Sequence, residues 1–268
     1  KDQPAYKAGL KTGDLIIAVN KKSTMNMELQ EVVSEIKKKE NKKVVLTIYR
    51  DKKSKDYTVK KSSVQLDTVS YKMKEKKIGY IAVSQFLENT GDQFDKAVTA
   101  LEKKGMKSLI IDLRDNGGGL LNTCTQMVSR VIDKDKLIVY TKDKEGNKEE
   151  FKSDSGKTLE IPIIILVNGN TASASEIMTG CLKDYGKATV VGTTTYGKGI
   201  VQNIMPLTDG SAIKFTIAKY YTPNGTDIHK KGIKPDVKVK MSDAQWKKAQ
   251  TDEKADKQLK KAIELLEK

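Results

Sequence analysis

The chain has 268 residues, 37% hydrophobic and 32% charged, with a formal charge of +15. That length holds one large or two modest domains with a real core, and no run of 18 apolar residues exists to span a membrane. The charge is almost wholly lysine, Arg50, Arg114 and Arg130 being the only arginines, and it is scattered through a chain with 6% aromatics. Such dispersal argues against a nucleic-acid partner and for a solvated surface suited to an anionic envelope.

Lys1 to Pro4 has no apolar stretch behind it, so no leader peptide is read there. Residues 1–62 form one compositional unit. Leu15 to Val19 reads as a strand after the Gly13-Asp14 turn. Leu29, Val32, Val33 and Ile36 recur at helical spacing, which predicts an amphipathic helix near 26–38. Val44 to Tyr49 reads as a strand, and Tyr57 to Val59 as a short one after a lysine-rich turn over 51–55. The unit is thus small and mostly β, with one helix packed on it.

From residue 63 to 268 strands alternate with helices. Ile78 to Ser84 is a strand, and Thr90-Gly91-Asp92-Gln93 fits a capping box opening a helix with Phe94, Ala97, Val98 and Leu101 on its apolar face. Leu109 to Leu113 is a buried strand running into the loop Arg114 to Gly119, with a helix over 120–132 beyond it. Residues 141–158 read as a turn or exposed hairpin. Ile161 to Val167, the most apolar strand, stops at Asn168-Gly169-Asn170 and feeds a helix beginning near Ser173. Ala188 to Gly192 is another buried strand, segments near 200–206 and 211–221 are further strands, and the tail from Asp243 to Lys268 is helical. The alternation predicts an α/β core with a largely parallel sheet. Sites in such sheets form beyond the carboxyl ends of strands, so the Gly117-Gly118-Gly119 loop and the Ser173 turn share one edge if their strands are neighbours. Cys124 and Cys181 form no motif and read as small core side chains.

Ser173 has two readings. Ser173-Ala174-Ser175-Glu176 is itself a capping box, so the serine fits a plain helix cap. At a helix N-terminus it also fits a nucleophile, because unpaired N–H groups and the dipole favour an oxyanion there, and Ala172 and Ala174 leave room for substrate. Ser175 is the rival on spacing alone. Lys198, 25 residues downstream in Tyr196-Gly197-Lys198-Gly199, sits between glycines in an uncharged stretch. A lysine serves as a base only with its amine neutral, a form that a dry pocket favours. Gln202 lies four residues on; along a straight strand that is about 13 Å, so the segment must bend for Gln202 to hold the amine.

Asp115-Asn116-Gly117-Gly118-Gly119 lacks the pattern of a phosphate-binding loop and makes better sense as an anion-binding bend beside Ser173. His229, the sole histidine, stands among charged residues and reads as an exposed loop rather than a base. No metal-ligand spacing is present.

At these residues the chain resembles the carboxy-terminal processing peptidases, or tail-specific proteases. Ala8 to Asp14 looks like the middle of a PDZ domain, Asp112 to Gly119 like the family's oxyanion loop, Thr171 to Glu176 like its nucleophile motif and Tyr196 to Gln202 like its lysine motif. The resemblance implies Ser173 as nucleophile, Lys198 as base, Gln202 as the residue orienting it, and Gly119 and Ala174 as oxyanion donors, with Gly118 a close alternative. It implies no cofactor or metal. The expected fold is a protease core over 63–268 preceded by a truncated PDZ domain over 1–62, opening partway through, so that the carboxylate-gripping loop and one groove strand are absent. The groove helix with Leu29, Val32, Val33 and Ile36 is present.

The implied activity is serine endopeptidase cleavage of proteins with nonpolar C-terminal tails, which the PDZ domain takes up as an added strand. The family's usual setting is extracytoplasmic. Membrane association through segments outside this stretch, and a homo-oligomer, are compatible with it. The alternative is a catalytically silent peptide-binding scaffold using the PDZ groove; a crotonase-like acyl-binding enzyme is a third reading, with no need of a neutral Lys198.

Overall fold

The computed structural model describes residues 3–38, 42–62, 66–154, 158–208 and 210–267. Residues 155–157 of the expected polar hairpin, 63–65 at the expected domain boundary and Lys268 lie outside them. Two compact units are present, residues 1–66 and 67–268.

The first unit begins with a short helix, α1 (Pro4–Lys7), then β1 (Leu15–Val19), β2 (Lys22–Ser23), α2 (Leu29–Lys37), β3 (Lys43–Arg50) and β4 (Lys53–Lys60). The strands form one antiparallel sheet in the order β2-β1-β3-β4. The last strand starts at Lys53, four residues earlier than expected. Asp51 and Lys52 have φ of 50° and 61°, so the reversal is a two-residue turn of the kind that matches strand twist, and the lysines beyond it pair as strand. Val19, Val44, Leu46, Ile48 and Val59 form the core, with Val32 and Ile36 of α2 packed on it. Arg50 forks onto Asp14 with two 2.5 Å hydrogen bonds, which hold the Asp14 carboxyl down at about 2.

The second unit continues with β5 (Val69–Met73), β6 (Ile78–Val83), α3 (Thr90–Lys103), β7 (Ser108–Asp112), α4 (Leu121–Ser129), β8 (Leu137–Asp143) and β9 (Lys148–Lys152). Then come β10 (Ile163–Val167), α5 (Ala174–Asp184), β11 (Ala188–Gly192), β12 (Ile200–Pro206), β13 (Ala212–Tyr221), β14 (Val237–Lys238), α6 (Asp243–Ala249) and α7 (Lys257–Leu266). The central sheet runs β14-β11-β10-β7-β6-β5, parallel except for β5 at its edge. Side chains alternate between two cores. Leu109, Ile111, Ile163 and Ile165 join the larger cluster with α3, α4 and α5, while Ile110, Ile164 and Leu166 meet Leu259 and Ala262 of α7. Burial on both faces is why these strands read as unbroken apolar runs. Cys124 and Cys181 are fully buried in the larger core.

β12, β13, β8 and β9 form a separate antiparallel sheet in that order, so the strands expected near 200–206 and 211–221 do not extend the parallel one. The capping box read at Thr90 does not form. Asn89 is the cap residue, Thr90 Oγ1 contacts Thr68 Oγ1 at 2.5 Å, and Gln93 Oε1 accepts from the N–H groups of Thr68 and Val69. Both side chains tie β5 to α3, a tertiary use that outcompetes the local cap. Among the described residues no helix is long and apolar enough to cross a membrane.

Candidate active site

β7 and β10 are paired in register from Leu109 and Ile163 to Asp112 and Leu166, so the loops that follow them leave the same sheet edge. Cross-bonds lock the loops together. Thr171 Oγ1 donates to Leu113 O (2.8 Å), and the N–H of Ala172 and the Ser175 hydroxyl both donate to Asn116 O (3.0 Å each). Asn116, fully buried, also donates from Nδ2 to Val83 O and accepts the Gly118 N–H on Oδ1, both at 2.8 Å. Ser175 is therefore a buried structural tie and not an accessible nucleophile.

Ser173 is half-buried and sits between β10 and α5 with φ 57° and ψ −120°. A non-glycine residue in that region stores strain, of order 1–3 kcal/mol, and a sharp strand-to-helix turn of this kind presents a nucleophile at the sheet edge. The hydroxyl lies over the N–H of Glu176 without closing a cap hydrogen bond. Gly118 packs directly against this turn. A Cβ on it would lie 2.7 Å from Ala172 O and 2.8 Å from Ala174 N, and its φ is 94°, so only glycine fits.

The candidate oxyanion donors separate cleanly. The Gly118 N–H is committed to Asn116. Gly119 is held by Phe86, whose N–H donates to Gly118 O and whose carbonyl accepts from Leu120 N. Neither the Gly119 N–H nor the Ala174 N–H has a partner among the described residues. Ala174 opens α5, where orphan N–H groups are expected.

Glu176 ties the two motifs together. It is fully buried, and its oxygens accept four hydrogen bonds. Oε1 accepts from Thr195 Oγ1 (2.5 Å) and the Gly197 N–H (2.7 Å); Oε2 accepts from the N–H groups of Lys198 (2.8 Å) and Ser173 (2.9 Å). One carboxylate oxygen thus touches the backbones of both Ser173 and Lys198. The first turn of α5 offsets the cost of the buried acceptor. Tyr196 N donates to Thr171 O, and Lys230 N to Gly197 O, which fix the lysine loop further. Sequence reading assigned Glu176 only its local cap; its span to Thr195 and Gly197 is tertiary and leaves no local signal.

The expectation of a dry pocket around Lys198 is not met. Its side chain is exposed and makes no hydrogen bond or ion pair among the described residues. The loop is anchored through backbone, and glycines on either side supply nothing to cover the amine. Gln202 lies on β12 next to a register break between Val201 and Gln202, where a bend is expected, but its side chain too is exposed and unpaired among the described residues. His229, read as an exposed loop, is half-buried against Gly199, and its Nδ1 is buried without a partner among the described residues. Among the described residues no cluster of His, Cys, Asp or Glu is arranged to hold a metal ion.

Residues 77–239 match the profile of peptidase family S41, and residues 1–50 that of a PDZ domain. The chain belongs to peptidase family S41. This S41 chain is 41% identical over 244 residues to the carboxy-terminal processing protease CtpA of Bacillus subtilis (strain 168), a match covering 91% of the chain and 52% of that protein. It is 42% identical over 241 residues to a protein of Staphylococcus aureus (strain N315) named "Probable CtpA-like serine protease", covering 89% and 48%. The chain spans about half the length of these curated relatives. The solved structure of the photosystem II D1 C-terminal processing protease superposes on the S41 chain with a TM-score of 0.61 and 29% identity, covering 89% of this chain and 66% of that one.

Proposed function

We propose that the chain is the catalytic portion of a serine endopeptidase that cleaves proteins near nonpolar C-termini outside the cytoplasm, with residues 67–268 as protease core and the N-terminal PDZ unit as tail-recognition module. In this reading Ser173 Oγ attacks the scissile carbonyl while the neutral Lys198 amine takes its proton. The N–H groups of Gly119 and Ala174 receive the developing oxyanion, one such donor being worth about 3 kcal/mol of barrier. Lys198 returns the proton to the leaving amine, and water then hydrolyses the acyl-enzyme by the same steps. Gln202 orients the amine. The observation that carries the reading is the strained Ser173 turn, with two N–H groups beside it that have no partner among the described residues and the lysine backbone held on the same Glu176 oxygen.

The exposed amine belongs to a resting form in this reading. Substrate laid over the turn excludes water and brings Lys198 onto the hydroxyl, a closure supplied by binding. An open cleft of about 950 Å³ runs along β13 and β8 with Leu121 and Val201 among its lining residues. Leu121 follows the oxyanion loop and Val201 lies within the lysine motif, and Phe151, Phe215 and Ile217 line the cleft with them beside charged residues such as Lys142 and Glu149, which gives it an apolar part suited to nonpolar substrate residues.

The exposure of Lys198 and Gln202 favours one other reading, a silent scaffold that binds tails without cutting them. Turnover of a peptide with a nonpolar C-terminus, abolished in both Ser173→Ala and Lys198→Ala with the fold retained, supports the peptidase. Binding of that peptide by the parent chain with no turnover establishes the scaffold instead.

A further inference from the structure

The C-terminal tail reaches the oxyanion loop through residues the catalytic reading does not use. Arg114, one residue beyond Leu113 and four before Gly118, is almost wholly buried. Its Nε donates to Asp112 Oδ1 (2.9 Å), and its Nη1 to Asp256 Oδ1 (2.9 Å) and Gln258 Oε1 (3.1 Å). Its Nη2 meets Asp112 Oδ2 (2.6 Å) and Asp256 Oδ2 (2.8 Å). Every nitrogen of the guanidinium thus faces an acceptor, and two of the acceptor residues, Asp256 and Gln258, come from the tail. The face of the guanidinium is covered by Trp246, whose ring centroid lies 4.4 Å away.

Trp246 makes a second contact. Its indole N–H donates to Asp115 Oδ2 at 2.7 Å, while Asp115 Oδ1 accepts from Asn168 and Asn170. Asp115 has φ 58°, a strained conformation that its partners must hold. One tail side chain thus grips both residues leading into the oxyanion loop.

The two tail helices differ in how they are attached. α7 is anchored apolarly, with Leu259 and Ala262 in the second core. α6, which carries Trp246, buries only Ala249. Arg114 and Trp246 also wall two clefts, of about 280 and 430 Å³. With Ala249 the one buried residue of α6, the contacts of Trp246 with Arg114 and Asp115 are its main tie to the loop, so it is a strap and not part of the core.

We propose that Trp246 is a positioning residue for the catalytic centre: the strap holds Arg114 and Asp115, and through them the conformation of the Asn116–Gly119 loop. The proposal rests on the peptidase reading for its kinetic consequence, but not for its mechanical one. The test uses the full chain with Trp246→Phe, which keeps an aromatic face over Arg114 and removes the N–H. Turnover of a peptide with a nonpolar C-terminus should fall roughly tenfold in kcat, the scale of losing one hydrogen bond to a charged group, with KM within about twofold. Amide exchange at Gly118, whose N–H is bonded inside the loop, should quicken by more than any fall in melting temperature accounts for, and Lys260→Ala on the exposed face of α7 should change neither readout. Unchanged kcat with unchanged Gly118 exchange in Trp246→Phe overturns the proposal, as does a fall in kcat with no change at Gly118. Failure of the peptidase reading itself shows separately, as turnover surviving Ser173→Ala; faster Gly118 exchange in Trp246→Phe would then still support the mechanical hold.

Discussion

Replacing Glu176 with Gln tests the joint between the two motifs. The carboxylate accepts four donors, two on each oxygen. Glutamine keeps one oxygen and turns an NH₂ group toward the other pair, so two donors lose their acceptor and face a third. A hydrogen bond to a charged group contributes about 1.5–3 kcal/mol, which puts the loss of two at roughly 3–6 kcal/mol. For a unit of this size that is a drop of about 10 °C in melting temperature, at about 2–4 °C per kcal/mol. The catalytic effect is distinct, because Ser173 and Lys198 are aligned through the same oxygen. A misplacement of about 1 Å costs on the order of 100-fold in rate, so kcat should fall at least that far while KM changes little. Calorimetry and peptide turnover on parent and variant supply both numbers. An E176Q protein with kcat within threefold of the parent and an unmoved transition would refute the argument that this carboxylate sets the geometry.

Ser175→Ala removes the hydroxyl that donates to Asn116 O and should cost about 1 kcal/mol of stability while leaving kcat within a few-fold; loss of turnover on the scale of Ser173→Ala would transfer the nucleophile's role to Ser175. Gly118→Ala forces a Cβ to 2.7–2.8 Å from the backbone of Ala172 and Ala174 at φ 94°, so the turn must shift and kcat should drop roughly 100-fold; an active G118A enzyme means that the loop tolerates movement. In the N-terminal unit the Asp14 carboxyl is lowered to about 2, first by its hydrogen bonds from Arg50. A depressed carboxyl adds stability above its unfolded value of about 3.9 and loses it as pH falls toward its folded value. The stability gap between parent and Asp14→Asn should therefore close between about pH 4 and pH 2, as followed by urea unfolding; a gap unchanged at pH 2 excludes the ion pair as its source.

Much of the architecture was legible because burial on both faces leaves a strong trace. β7 and β10 are apolar at successive positions since each face of the sheet is covered, and the glycines and asparagines after them mark the loops that build the site. β5 left no such trace; it is an edge strand with Ser70, Tyr71 and Lys72 exposed, and β14 is two residues long. The box at Thr90 and the one at Ser173 show residue types with two uses. At Thr90 the polar side chains turned outward to β5, whereas at Ser173 the glutamate kept its cap bond and spanned to the lysine loop as well. The three arginines carried a signal that dispersal of the lysines obscured. Arg50, Arg114 and Arg130 each pair with carboxylates in a fixed geometry, the use that a planar fork serves and lysine does not. Nothing local to Trp246 announces a contact with Asp115, which lies 131 residues away in the chain. Exposure of Lys198 was likewise invisible, because glycine neighbours suit a covered amine and an open one equally well.

The most direct test of a serine nucleophile served by an amine base is the mapped adduct of a fluorophosphonate on the parent chain and on Lys198→Ala. The account predicts one phosphonylated residue, Ser173, in the parent, and labelling slowed at least 100-fold in the variant. Equal labelling of Ser173 in both proteins would contradict the role of Lys198, and an unmodified Ser173 in a folded parent chain would contradict the nucleophile itself.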